Sequence, residues 1–513
     1  MPRDYLEEFL PDLAEFKEKT LQFHQGKISA ADYKKFSGGF GSYAQRGGAK
    51  HMLRLRMAGG RLTKKRLHFL VESCSKYHID RLKLTTCQSL QLHNLEPSCL
   101  FSLIEEAWRA GMVSRGGGGD FPRNVMASPL SGVLGGEAFD VMPYAEAAGD
   151  YLMHFIKSVK FPRKLKVSFS NSPENETHST FRDLGFVAKP GPAFEVYAAG
   201  GLGIKPSLGV CVAKDAPASA LLYYIKAMVN TFLTYGNYEN RAKSRTRFML
   251  ETLGKEGFIK AYQEKLEETL ATGKLDIQIA LPEITKRGNG GAISGKRILP
   301  QKQEGLYAVF YQPIGGNLSP EKALLLDRLI ETMDQVEIRL TPEEGMYIIN
   351  CNAAEAEKIL EATADGANNL FETSIACIGA QVCQVGIGDS QALLQECIQA
   401  VCREDFADGV LPKIHISGCP SSCGCHQVGA IGFRGGIKQT PAGPKPAFAI
   451  FHGGCAEGGR EILADMGKAI LAEDIPRFLT ELGKQVASEN LTYGQWISGH
   501  HGELEELIEK YTS

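Results

Sequence analysis

A long stretch of this chain occurs twice. Gly59-Gly60-Arg61-Leu62-Thr63 reads against Gly315-Gly316-Asn317-Leu318-Ser319, displaced by 256 positions. The same displacement, without a gap, sets Leu82-Lys83-Leu84-Thr85 on Ile338-Arg339-Leu340-Thr341. It also sets Leu90, Leu92 and Asn94 on Met346, Ile348 and Asn350. One offset held through a strand, a helix and a second strand marks an internal duplication, and it restricts the fold to two similar halves. In each copy a Gly-Gly turn ends the first strand. Thr63 or Ser319 takes the helix N-cap position, with Pro320 at the first helical position of the second copy. An apolar face follows (Leu67, Leu70, Val71 and Cys74; then Ala323, Leu326, Leu329 and Ile330), and then a period-two strand.

The later parts correspond at a shifted displacement of 249, Arg163 to Ser168 lying against Pro412 to Ser417. Phe194 to Gly201 resembles Phe448 to Gly454. Each half is therefore a small α/β module followed by a larger α/β domain, and a pseudo-twofold chain of this kind offers a cofactor site between its halves. Lys286 to Gln303, rich in Gly, Lys and Gln, reads as the link, and Gly116 to Gly119 as a flexible run.

The chain has 513 residues, 43% of them hydrophobic, which is too many for one core. A net charge of −2 gives no bulk attraction to nucleic acid or to a membrane surface. The start lacks an apolar signal region, and no run of about 18 apolar residues occurs, so the expectation is a cytoplasmic protein. Thirteen cysteines in such a chain point to metal or redox chemistry rather than to a disulfide framework.

Four cysteines stand out. Cys377 and Cys383 are spaced C-x5-C, and Cys419 and Cys423 are spaced C-x3-C. Four thiolates are what a [4Fe–4S] cluster requires. Gly418 and Pro420 suit a tight turn in which backbone amides approach the cluster sulfurs. The rivals are buried apolar cysteines and a structural zinc site. Cys425 and His426 follow at once, although C-x5-C is wider than zinc pairs usually are.

Cations also cluster. Lys160, Arg163, Lys164 and Lys166 fall within seven residues, and Lys164 and Lys166 share a face if extended. Alone, these read as a solvated strand edge, where lysines are common. The same holds for Arg54 and Arg56 on one strand and for Arg123 after its proline.

The cysteine spacing resembles that of the siroheme and [4Fe–4S] sulfite/nitrite reductases. So, in order, do Leu53-Arg54-Leu55-Arg56 with Gly59-Gly60, Leu84-Thr85 with Gln91-Leu92-His93, Pro122-Arg123-Asn124-Val125, Pro162-Arg163-Lys164-Leu165-Lys166 and Gly200-Gly201. The resemblance spans roughly residues 45 to 460. It implies an α+β fold of two ferredoxin-like half-modules and two larger α/β domains that carry siroheme and the cluster. The expected boundaries are an N-terminal extension at 1–48, half-modules at 49–120 and 304–370, a siroheme and substrate domain at 121–290, and a cluster domain at 371–513.

The resemblance further implies that Cys377, Cys383, Cys419 and Cys423 hold the cluster, with Cys423 also bridging to the siroheme iron. Arg54, Arg123, Lys164 and Lys166 match residues that bind a small oxyanion and protonate its departing oxygens. Lys83, Gln91, His93 and Arg163 match siroheme contacts, and Arg241, Arg245 and Arg247 match a basic segment. Two departures stand out: Cys87 and Lys83 occupy positions where the family pattern typically has arginine. Lys-x-Lys at 164–166 favours sulfite, reduced to sulfide, since two lysines suit a dianion; nitrite is the alternative. A cluster-bearing electron carrier and a zinc protein are the rival classes, and neither needs an anion pocket. No Gly-x-Gly-x-x-Gly follows a strand, so electrons come from outside, from a ferredoxin or a flavoprotein reductase subunit.

Overall fold

The computed structural model describes residues 5–512. The chain divides into two compact units. Unit one takes the residues up to Gly201, Ser207–Tyr311 and Leu318–Ala364; unit two takes Leu202–Pro206, Gln312–Asn317 and the residues from Asp365 onward.

Among the described residues, twenty strands form four five-stranded sheets. The first copy contributes β1 (Ser42–Ala44), β2 (His51–Leu55), β3 (Arg61–Leu62), β4 (Leu82–Leu84) and β5 (Leu90–Leu95). The first larger sheet contains β6 (Met126–Ala127), β7 (Val167–Ser170), β8 (Leu184–Lys189), β9 (Ala193–Ala198) and β10 (Val210–Pro217). The second copy contributes β11 (Ile298–Pro300), β12 (Tyr307–Tyr311), β13 (Asn317–Leu318), β14 (Glu337–Leu340) and β15 (Met346–Cys351). The second larger sheet contains β16 (Ile375–Ala376), β17 (Ile414–Ser417), β18 (Ile431–Thr440), β19 (Gly443–His452) and β20 (Asp465–Leu471).

The duplication holds residue by residue. β1, β2 and β3 start and stop 256 positions before β11, β12 and β13. Gly59 and Gly60 have φ of 63° and 66°; Gly315 and Gly316 have 59° and 68°. Both caps form as the sequence predicts: Thr63 accepts from the Arg66 amide and Ser319 from the Lys322 amide. A further matched pair was not read from the sequence. Gln45 clamps Asn94, which has φ 59°, through two hydrogen bonds, and Gln301 clamps Asn350, which has φ 64°, in the same way.

The small sheets exchange edges. Their orders are β1–β2–β5–β4–β13 and β11–β12–β15–β14–β3, so each copy gives a short strand to the other's sheet. Leu62 pairs with Ile338 across one of these borders. The leucines of β2, β4 and β5 alternate onto one face and join one core with Ile338, Leu340, Met346 and Ile348. Sequence boundaries at 49 and 304 leave out β1 and β11, which open the two sheets.

The larger sheets run β10–β9–β8–β7–β6 in unit one and β16–β17–β18–β19–β20 in unit two. In each, the first three strands in chain order are parallel and the remaining pairings antiparallel. Among the described residues no helix is long and apolar enough to cross a membrane.

Candidate anion and cluster sites

On the face of the first sheet opposite its leucines, Arg54, Gln91 and Lys83 stand in one cross-strand row, because Gln91 pairs with both neighbours in register. His93 follows two residues along β5, on the same face. With the Gln91 amide turned to satisfy its neighbours, its oxygen accepts from Arg54 at 2.6 and 3.1 Å and its nitrogen faces His93 Nε2 at 3.0 Å. Burial, then Arg81, Arg54 and Lys83, push the His93 pKa down to about 3, so its ring stays neutral. Lys83 is 2% exposed and forms an ion pair of 2.6 Å with Glu344, the residue that the duplication sets opposite Gln88.

The glycine run is not flexible. A Cβ on Gly117 would meet the Ser114 carbonyl at 2.8 Å, and one on Gly118 would meet the Tyr43 hydroxyl at 2.3 Å. These glycines serve close approach rather than freedom. The packed run presents carbonyls to guanidiniums: Arg54 and Arg123 both donate to Gly117 O at 2.9 Å, and Arg123 also donates to Gly119 O at 2.7 Å. Arg56 lies under the same loop and donates to the Arg115 and Arg123 carbonyls. Burial, foremost, lowers Arg123 to about 10; Arg54 and Arg245 act the same way. Its Nε has no partner among the described residues.

Lys164 and Lys166 flank the buried Leu165, whose backbone pairs with the segment around Pro122: Arg123 N donates to Leu165 O at 2.8 Å. The run is extended there, so both lysines fall on one face, and each is half-buried. Lys166 is fixed by its amide, which donates to Asp183 Oδ2 at 2.8 Å. Its charge acts on the Cys87 sulfur. Asn124, next to Arg123, donates to the Cys87 and Gln88 carbonyls at 2.9 Å and so ties the two loops together. Burial alone would raise the Cys87 thiol, but Lys166, Arg182 and Arg54 bring it down to about 6.

Arg163 and Arg241 both pair with Asp120, Arg241 at 2.7 Å. Burial works to raise that carboxyl, and hydrogen bonds and charge from the two arginines hold it below its ordinary range. Arg245 pairs with Asp183 at 2.9 Å. Arg54, Arg123 and Lys166 are thus brought together around Cys87, while Lys83 and Arg163 each meet a carboxylate. Sequence reasoning missed Asn124 and Asp183, which position Cys87 and Lys166. Asn124 stood inside a quoted motif without a role, and Asp183 had no motif to mark it. A cavity of about 1040 Å³ elsewhere in unit one, lined by Cys74, Lys76, Glu106, Glu321 and Arg328, touches none of these residues.

In unit two, Cys377 follows β16 directly and Gly418-Cys419 follow β17, so both cysteine pairs leave the C-terminal ends of neighbouring parallel strands. Gly418 N donates to Cys377 Sγ at 3.2 Å, and the Ser390 hydroxyl lies 3.2 Å from the same sulfur. A Cβ on Gly418 would meet Gly388 O at 2.5 Å, so only glycine permits this approach. Burial, and then Cys423, push the Cys377 thiol up to about 12, so a metal must displace its proton. An amide aimed at the Cys377 sulfur, with the Cys423 sulfur acting on it, fits an iron–sulfur cluster. Among the described residues no three His, Cys, Asp or Glu side chains close on a single metal ion. Cys425 is buried, with φ 56°. In unit one, Arg123 Nε, Arg182 Nη2 and Arg245 Nε, without partners among the described residues, fit a polycarboxylate.

The family described as nitrite and sulphite reductase 4Fe-4S domain matches residues 118–270. The nitrite/sulfite reductase ferredoxin-like half domain matches 43–107 and 299–365. The chain is similar to the ferredoxin–nitrite reductase of Synechococcus elongatus, 27% identical over 458 residues, covering 84% of this chain and 85% of that one. It is 25% identical over 426 residues to the chloroplastic ferredoxin–nitrite reductase of Arabidopsis thaliana, covering 79% and 71%. It is 25% identical over 404 residues to sulfite reductase [ferredoxin] 1 of Mycolicibacterium paratuberculosis, covering 75% and 69%. The solved structure of the Mycobacterium tuberculosis NirA protein matches the fold with a TM-score of 0.80 at 22% identity, covering 98% of both chains.

Proposed function

Because the chain belongs to the siroheme and [4Fe–4S] nitrite and sulfite reductase family, we propose that it is the sulfite-reducing kind of oxidoreductase, releasing sulfide. The observation that carries this reading is the pair of half-buried lysines, Lys164 and Lys166, on one face of an extended run beside Arg54 and Arg123. A dianion needs several converging cations, and departing oxygens need fixed donors. Arg54 and Arg123 are fixed by their shared carbonyl and orient; the lysines carry the protons. Cys377, Cys383, Cys419 and Cys423 would hold the cluster, and Cys423 would also meet the siroheme iron. The siroheme, when bound, supplies the iron at which the oxyanion is reduced. Electrons enter one at a time from an external donor. Ferredoxin is the donor named for the relatives above and is the one we assign here.

The names of the relatives from Synechococcus elongatus and Arabidopsis thaliana favour a second reading, nitrite reduced to ammonia. Reduced methyl viologen separates the two, since it replaces the natural donor. The wild-type enzyme is expected to show the higher kcat/KM on sulfite. Lys166→Asn should move the ratio of the two kcat/KM values towards nitrite by about tenfold to a hundredfold, the weight of one charged hydrogen bond. A wild-type enzyme that prefers nitrite by a wide margin would sink the sulfite assignment and leave the family intact.

A further inference from the structure

Arg182 sits just before β8 and is 4% exposed. Its Nε donates to Thr177 O at 3.2 Å, and its guanidinium carbon lies 5.4 Å from the centre of the Phe181 ring. Its own carbonyl accepts from Gly200 N at 2.9 Å. Backbone and side chain are therefore both held. Nη2 is buried and has no partner among the described residues.

Among the described residues no carboxylate pairs with Arg182. The adjacent Asp183 is engaged elsewhere, by Arg245, by the Thr246 hydroxyl and by the Lys166 amide. The nearby acid is Cys87, on whose sulfur the Lys166 charge already acts. A buried guanidinium without a full counter-charge is costly, and it persists where an anion completes it. Arg123 and Arg245, which act on each other electrostatically, carry further unpartnered N–H groups at Nε.

We propose that Arg182 is an anion-binding residue of this site, its open N–H taking one oxyanion group: a carboxylate of the bound tetrapyrrole or the small oxyanion substrate. Cys87, on the loop where the family pattern typically has arginine, supplies no cation, and Arg182 brings one to that loop from the start of β8. The proposal rests on the reductase reading and adds a residue to it.

The test uses the full-length chain with Arg182→Gln, which keeps a donor for Thr177, and Arg182→Lys, which keeps charge but not the fork. Three quantities are read: siroheme per chain by absorbance, KM for sulfite in the holoenzyme, and quenching of the siroheme-free protein by uroporphyrin, a tetrapyrrole polycarboxylate. Cluster iron and acid-labile sulfide report assembly. If the group is a carboxylate, Arg182→Gln weakens uroporphyrin binding by about tenfold to a hundredfold and lowers siroheme content, with KM and cluster unchanged. If the group is the substrate, KM rises by a similar factor while uroporphyrin binding and siroheme hold. Wild-type values in all three overturn the proposal. Should Arg182→Gln fail to fold, Arg182→Lys decides by the same three values. A wild-type protein isolated without siroheme that turns over neither oxyanion sinks the reductase reading by itself. The uroporphyrin titration still reads Arg182 in that case: without an oxyanion substrate only the carboxylate arm is left, and equal binding by wild type and variant overturns it.

Discussion

The sheets β6–β10 and β16–β20 share strand order and the same mixture of parallel and antiparallel neighbours, yet they present their chemistry from opposite ends of the strands. In unit one, Arg123, Lys166 and Arg182 lie just before β6, β7 and β8. In unit two, Cys377 and Cys419 lie just after β16 and β17. The duplication therefore reproduces a scaffold and leaves the site free to move. The physical reason is that ladder hydrogen bonds and alternation constrain the residues within strands. The connections at either end answer only to closure and solvation, so each copy could place its functional side chains in different connections.

The strongest way to break that comparison is at the ends of β16 and β17. Cys377→Ser and Cys419→Ser are expected to reduce bound iron and acid-labile sulfide to background, while Cys425→Ala leaves both in place. Loss of the cluster in the Cys425 variant would shift the ligand register by two residues and break the match between the turn after β17 and the site. Next comes Lys83, read from sequence as a cofactor contact and found in a buried pair with Glu344. Lys83→Met leaves Glu344 buried and uncompensated, which should cost about 3–5 kcal/mol in denaturant unfolding of the siroheme-free protein. Lys83→Met/Glu344→Leu should recover most of it. If Lys83→Met instead lowers siroheme content with stability unchanged, the pair does not join the two copies and Lys83 belongs to the cofactor.

The smallest effect, taken per pH unit, sharpens the cation end. Cys87 has its pKa depressed from 9.0 to about 6. Between these values the unfolded chain holds the thiol proton and the folded chain does not, so stability rises with pH across that window. The stabilisation is fully present above 9.0 and is lost as pH falls through about 6. The excess stability of wild type over Cys87→Ala should grow by at most about 1.4 kcal/mol per pH unit, read by thermal unfolding of the siroheme-free protein. A flat difference from pH 6 to 9 would mean that Lys166, Arg182, Arg54 and Arg123 do not act on this sulfur as their placement implies.

Much of the scaffold was legible because its signals are local. The Gly-Gly turns, Thr63 and Ser319 at their caps, and the alternating leucines of β2, β4 and β5 each declare themselves within a few residues, and the constant displacement ties them together. The glycine run was misread for the converse reason. Gly116 to Gly119 look like freedom in isolation, and only the neighbouring Tyr43, Ser114 and Arg54 reveal that they are wedged. The pairing of Lys83 was likewise invisible, because Glu344 lies far along the chain and arrives through edge exchange between the small sheets.

The sequence by itself determined that the chain is duplicated, that one half carries closely spaced cysteines and the other carries cations, and that the ordered motifs resemble one reductase family. Those are matters of residue type and spacing, which local physics translates directly. Only the tertiary structure decided which cations converge. Arg54 and Arg123 meet on one glycine carbonyl, Lys166 is held by Asp183 and acts on Cys87, and Arg182 brings an open guanidinium to the loop that lacks its arginine. Charge pairing depends on distance and burial across segments remote in sequence, and no period or spacing along the chain encodes that.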